Sequence, residues 1–166
     1  MRIGQGFDIH AVSDDPERAL VLGGVVIEGE RGLVGHSDAD VVAHALADAL
    51  LGAAGLGDLG QHFPDTDPAW VGADSIALLT EVVTRVRAAG LQAVNADCTV
   101  VAERPRLAPH ASAMVDRLTG AIGAPVSVKA TRAEGLGALG RAEGIACLAV
   151  ALLEPVAPDQ RDRTTK

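Results

Sequence analysis

The chain has 166 residues, enough for one domain that buries a core without disulfide or metal staples. Apolar residues make up 48% but aromatic ones only 2%, so that core must be built from Ala, Val, Leu and Ile. A net charge of −8 and a pI near 5.0 argue against nucleic acid or a membrane surface as partner, yet leave room for a phosphate-bearing small molecule beside local cations or metals.

Met1–Gln5 leads straight into a strand expected over residues 2–10, with no signal peptide in view. Residues 19–27, broken by Gly23-Gly24, read as a hairpin or bulged strand. A first helix is predicted from Ser37 to about Ala54. Asp38 and Asp40 fall in its first turn, and Ser37 and Asp40 have capping-box spacing. Residues 55–67, rich in Gly and Asp, read as a long functional loop. A second helix is predicted over 73–89, where Ile76, Leu79, Val83 and Val86 keep helical spacing. A strand over 91–103 leads into Arg104-Pro105-Arg106, and Pro109 opens a third helix that ends near Ile122. Strands over 126–130 and 144–153 bracket Thr131–Gly137. The polar segment 155–166 is expected to be a disordered tail, leaving 1–154 as a single domain.

Strands and helices alternate irregularly, so the expected class is α+β: a mixed β-sheet with helices packed mainly on one face. The apolar run 144–153 is too short to span a bilayer. Cys98 and Cys147 lie inside apolar runs without metal spacing and read as reduced core residues of a cytoplasmic protein.

Chemistry concentrates first in Asp8-Ile9-His10. A strand turns residues i and i+2 to the same face, and His44 on the first helix can reach the same spot. Two imidazoles and a carboxylate suit Zn²⁺ or another divalent first-row metal with one position open for substrate. The competing reading is that Asp8 or His10 caps a turn. Asp40, His44 and Asp48 form a polar stripe on an otherwise Ala/Leu helix, either a solvated face or the wall of a site. In the second case one of the carboxylates orients the free nitrogen of His44, and spacing leaves open which. His36-Ser37, at the expected helix start, would extend an anion site. Gly4-Gln5-Gly6 and Gly135-Leu136-Gly137 are weak phosphate-loop signals. Lys129, Thr131, Arg132 and Glu134 mix cations, a hydroxyl and a carboxylate at a strand end, as a diphosphate site or an ordinary charged edge would.

Together these blocks resemble the 2-C-methyl-D-erythritol 2,4-cyclodiphosphate synthases. The resemblance is carried by Gly6-Phe7-Asp8-Ile9-His10, Gly35-His36-Ser37-Asp38-Ala39-Asp40 with His44, Gly57-Asp58-Leu59-Gly60, and Phe63-Pro64-Asp65-Thr66-Asp67. It continues through Arg104–His110, Val128-Lys129-Ala130-Thr131 and Gly140–Ala146, over residues 1–154 in order. It implies cyclisation of 4-diphosphocytidyl-2-C-methyl-D-erythritol 2-phosphate with release of CMP, in the non-mevalonate isoprenoid pathway. By matching positions it implies Zn²⁺ on Asp8, His10 and His44, and Mg²⁺ or Mn²⁺ at the diphosphate beside Glu134. His36 and Ser37 would hold the methylerythritol phosphate end, and Asp58 and Gly60 the sugar region. Phe63, Asp65 and Asp67 would belong to a flap, and Ala102, Arg106, Leu107 and Ala108 to the cytosine pocket. Thr131 would face the diphosphate. A homotrimer with sheets around a threefold axis is implied, with Arg141 and Glu143 near that axis as an anion site.

Departures from the pattern matter. Arg132-Ala133 stands where successive threonines are usual, so a presumed transition-state hydroxyl is lost. His36 and Arg132 remain as catalytic candidates, Arg132 as a source of charge-assisted donors. Ala138 replaces a bulky aromatic, and Arg106 a lysine. The alternatives are a non-catalytic isoprenoid-phosphate-binding trimer, and a phosphodiesterase that hydrolyses rather than cyclises.

Overall fold

Period-two alternation sets the first strand. β1 (Arg2–Ala11) turns Gly4, Gly6, Asp8 and His10 to one face and Ile3, Gln5, Phe7 and Ile9 to the other. The first face meets α1 (Val41–Ala54) at very short range. A Cβ on Gly4 would run into the Ala49 carbonyl, and one on Gly6 into the Ala45 carbonyl. These glycines therefore let strand and helix touch; they do not form a phosphate loop. The computed structural model describes residues 1–157.

A short hairpin, β2 (Leu20–Leu22) and β3 (Val25–Ile27), follows β1. The main sheet also contains β4 (Leu91–Val101), β5 (Val126–Thr131) and β6 (Gly144–Pro155), in the order β1-β6-β4-β5. β6 runs antiparallel to β1 and β4, and β5 parallel to β4, so the sheet is mixed as expected. α1, α2 (Leu59–His62), α3 (Ser75–Ala88) and α4 (Ala111–Ile122) belong to the covered side, with α1 wedged between the sheet and α3. That position explains why α1 is apolar almost all round. The core joins Leu46, Leu50 and Leu51 of α1 to Leu79, Met114, Leu118 and Leu153, with the free thiols Cys98 and Cys147 buried in the sheet.

Several boundaries differ from the sequence reading. α1 starts at Val41, a turn after Ser37. Ala39 adopts left-handed backbone (φ 58°), which interrupts any helical run, and Asp40 is the cap. Its fully buried carboxylate accepts the Val42 and Ala43 N–H groups at 3.0 and 3.1 Å. It also accepts Gly23 and Gly24 N–H at 2.8 and 2.6 Å, tying the β2–β3 turn to the helix start. Burial pushes this carboxyl's pKa up, while the backbone donors pull the other way. Residues 55–67 are not wholly irregular, since Asp58 caps α2, and Asp67 caps a 3₁₀ turn at Pro68–Trp70. A short helix, α5 (Gly137–Gly140), precedes β6. β6 itself reaches Pro155, which pairs with Leu91; residues 158–166 of the expected tail lie outside the described residues.

Candidate active site

Asp8 and His10 share the covered face of β1, and the close approach of α1 at Gly6 brings His44 beside them. Asp8 Oδ2 lies 2.9 Å from His10 Nε2 and 3.1 Å from His44 Nδ1, and the two nitrogens are 3.3 Å apart. A zinc ion ~2.0–2.1 Å from each ligand would set tetrahedral ligand atoms about 3.3 Å apart. The donor set thus fits a divalent cation.

The imidazoles are held from behind. His10 Nδ1–H donates to the Val34 carbonyl at 2.7 Å, leaving Nε2 free to ligate. His44 Nε2–H donates to Ser75 Oγ at 2.8 Å, leaving Nδ1 free. Ser75, buried at the start of α3, donates its own hydroxyl hydrogen bond to the Asp38 carboxylate. Neither Asp40 nor Asp48 orients His44, then; Asp38 does so through Ser75. Asp48 instead accepts the Leu59 N–H at 2.7 Å and anchors α2. Burial opposes the charged Asp8 carboxylate, but hydrogen bonds and charge from His10 and His44 outweigh it. They hold its pKa well below the usual carboxylate range. Burial also lowers the pKa of His10, and the Asp8 contact with the Val34 bond reverses this, leaving a net rise.

The two histidines of the trio open onto a cavity of about 270 Å³ lined by His10, His36, Ser37, His44, Asp65 and an apolar wall of Leu59, Phe63, Trp70 and Leu78. His36 Nε2 donates to the Asp67 carbonyl at 3.2 Å, and Gly72 N–H donates to the His36 carbonyl at 2.8 Å, so His36 secures the segment after Phe63. Ser37 is not on the helix. Its hydroxyl accepts Ala39 N–H at 3.2 Å and lies 3.2 Å from His44 Nε2. Asp58 and Gly60 are exposed, and Asp58 spends its carboxylate on Gln61.

A second cleft, of about 250 Å³, lies at the ends of β4 and β5. Ala102, Arg106, Leu107, Ala108, Thr131 and Arg132 line it, and the Ala102 N–H donates to the Thr131 carbonyl at 3.1 Å. Arg106 and Arg132 are exposed, and neither has a carboxylate partner among the described residues. Lys129 faces away and pairs with Asp97 across the strands. Glu134 follows in left-handed backbone (φ 52°), exposed on the turn. Arg141 makes a two-pronged pair with Glu143 at 2.6 and 3.3 Å before β6. Of the predicted residues, His10, His36, Ser37, His44, Phe63 and Asp65 line the first cleft and Ala102, Arg106, Leu107, Ala108, Thr131 and Arg132 the second, while Asp58, Gly60, Asp67, Glu134 and Arg141 line neither.

Sequence reasoning missed Ser75, Trp70 and Leu78. Ser75 follows Asp74 and reads as a helix-start residue; its partner His44 lies 31 positions away, beyond any local pattern.

The chain matches the YgbB family over residues 1–154. It is 57% identical over 155 residues to the 2-C-methyl-D-erythritol 2,4-cyclodiphosphate synthase of Bordetella avium, covering 92% of this chain and 94% of that one. Against the protein of the same name from Aromatoleum aromaticum it is 59% identical, over 92% and 93% of the two chains. A solved 2C-methyl-D-erythritol-2,4-cyclodiphosphate synthase in a CDP-bound form matches with a TM-score of 0.83 at 39% identity, over 92% of this chain and 100% of that one. With the fold, the ligand trio and the linear order of the motifs all in agreement, the chain belongs to the YgbB family of 2-C-methyl-D-erythritol 2,4-cyclodiphosphate synthases.

Proposed function

We propose that this enzyme converts 4-diphosphocytidyl-2-C-methyl-D-erythritol 2-phosphate to 2-C-methyl-D-erythritol 2,4-cyclodiphosphate and CMP, as a phosphorus–oxygen lyase of the cytoplasm. An oxygen of the 2-phosphate attacks the β-phosphorus; the bond from that phosphorus to the oxygen shared with the α-phosphate breaks, and CMP leaves with the electron pair. The attacking phosphate is already ionised, so no general base is required. Bringing the reacting groups together within one molecule supplies up to ~7–11 kcal/mol of the barrier. What the protein must do is fold the substrate and hold its charge.

The chain's residues divide that work. His36 and Ser37 take the methylerythritol phosphate end, against the apolar wall of Leu59, Phe63, Trp70 and Leu78. Asp58 and Gly60 meet the sugar region, with Asp65 and Asp67 on the flap. Ala102, Arg106, Leu107 and Ala108 shape the cytosine pocket, and Thr131 and Arg132 face the diphosphate. Arg132 supplies charge-assisted donors where family members carry a hydroxyl. A divalent ion held by Asp8, His10 and His44, read as zinc, would supply fixed positive charge opposite a substrate phosphate. Glu134 offers a single carboxylate, so Mg²⁺ or Mn²⁺ held there would complete its shell with diphosphate oxygens.

The two clefts are separate in one chain, and the sheet's uncovered face carries Ile3, Phe7, Ile9, Leu148 and Val150, all exposed. Such a patch favours assembly. We read it as the face that packs around the axis of a homotrimer, so that one protomer's metal pocket meets its neighbour's cleft.

The observation that carries the reading is the convergence of three metal-ligating atoms at the mouth of a half-apolar cavity. Phosphorus NMR of the protein with the cytidyl substrate, Zn²⁺ and Mg²⁺ tests it. A cyclic diphosphate with stoichiometric CMP is expected. A linear product would mark a hydrolase instead, and binding without turnover by a metal-loaded trimer would mark a binding protein.

A further inference from the structure

The cavity's aromatic wall is held by a residue outside the cavity. Arg85 stands on α3, and its guanidinium carbon sits 4.9 Å over the centre of the Phe63 ring. Its Nη1 donates to His62 Nδ1 at 2.5 Å, and its Nε donates to Glu81 Oε1 at 3.0 Å, one turn earlier on the same helix. The His62 ring is fixed on its other side, where Nε2–H donates to the Leu56 carbonyl at 2.8 Å. One edge of the guanidinium thus grips His62 while the group stands over Phe63; the Glu81 pair lies on the exposed surface of the helix, outside that clamp.

Phe63 is only 7% exposed and meets Trp70 edge-on, with ring centres 5.0 Å apart and planes at 88°. A cation over one face of Phe63 and an indole at another leave that ring little freedom. Phe63 and Trp70 are the two aromatic residues lining the cavity beside His36 and Ser37. His36 ties down the segment following Phe63 through the Asp67 carbonyl, and Arg85 ties down its base. The base is thus set from α3, not from the site.

We propose that Arg85 is a positioning residue: by clamping His62-Phe63 it sets the Phe63–Trp70 wall against which the substrate's carbon skeleton rests. The substrate part of this inference rests on the function proposed above; the clamp itself does not. Trp70 is the sole tryptophan, so its fluorescence reports the wall directly. Acrylamide quenching and emission would be compared in the full chain, zinc-loaded, for wild type, R85Q, R85K, H62A and E81Q. R85Q is expected to raise the quenching constant roughly twofold, as the segment opens locally while the fold persists. H62A should do nearly the same, and the double variant little more, because both remove one clamp. E81Q breaks only the pair within the helix and should stay near wild type. KM for the cytidyl substrate should rise roughly fivefold in R85Q with kcat within about twofold, the signature of lost ground-state binding.

Unchanged quenching in R85Q, or an equal change in E81Q, would overturn the clamp and leave Arg85 as an ordinary helix-surface residue. If R85Q fails to fold, R85K decides the matter. Its ammonium covers the ring without gripping His62 with the same geometry, so intermediate quenching supports the clamp and wild-type quenching overturns it. A wild-type protein that turns over no substrate while R85Q still raises quenching would overturn the substrate role and retain the clamp.

Discussion

The metal pocket and the arginine cleft are built by opposite strategies. In the pocket both imidazoles are held from behind: His10 by the Val34 carbonyl, and His44 by Ser75, which Asp38 holds in turn. In the cleft, Arg106 and Arg132 stand exposed on loop and strand end, beside Glu103, Leu107 and the smaller Ala102, Ala108 and Thr131. A metal ligand misplaced by half an ångström is a poor ligand, so its supports are assembled within the chain. A cation proposed to meet a diphosphate needs less support, since that ligand would bring its own charge and geometry. The pocket's imidazoles are preorganised by this chain; the cleft's arginines have no such supports among the described residues.

This contrast can be broken at four points. The largest effect belongs to the ligands. Asp8→Asn or His44→Ala should abolish stoichiometric zinc, read by elemental analysis, and lower turnover at least about a thousandfold. Zinc retained at full stoichiometry would dismantle the trio. Next comes Ser75→Ala, which leaves His44 and Asp38 without their shared partner. Zinc affinity, measured by chelator competition, should fall about 10–100-fold with the fold intact; an unchanged affinity would mean that the pocket does not depend on its supports.

Proton competition follows. Asp8 raises the pKa of His10, so in the metal-free protein a proton occupies that site up to a higher pH than for a free histidine. Zinc must displace it. Apparent affinity should therefore climb about tenfold per pH unit up to the raised value and level off above it, and a titration with no such slope would contradict the assignment of His10. The smallest effect belongs to the cleft. Arg132→Ala should lower kcat/KM about fivefold, as befits an exposed cation, and leave zinc affinity untouched. A loss as large as that of Asp8→Asn would mean that the cleft is as preorganised as the pocket.

Local chemistry makes much of this legible. Alternation along β1 is enough to place Asp8 and His10 on one face, and α3 and α4 follow from spacing to within two residues. The start of α1 does not. Ser37 and Asp40 both look like caps, and the choice falls to Asp40 because Gly23 and Gly24, brought up by the hairpin, also bind its carboxylate. Gly4-Gln5-Gly6 carries a glycine signal whose cause, the carbonyls of α1 pressed against the strand, lies about forty residues away.

Periodicity and residue type, read along the chain, settle the alternating strands, the apolar helices and the shared face of Asp8 and His10, since each is a rule about near neighbours. The order of motifs settles the family. Packing alone decides which carboxylate supports which ligand: Asp38 through Ser75 to His44, Asp48 to α2, Asp40 to the hairpin. All three are aspartates within eleven residues of one another, alike to any local rule. What separates them is which buried N–H or hydroxyl each is carried to, because a buried donor left without a partner costs more than any local preference supplies.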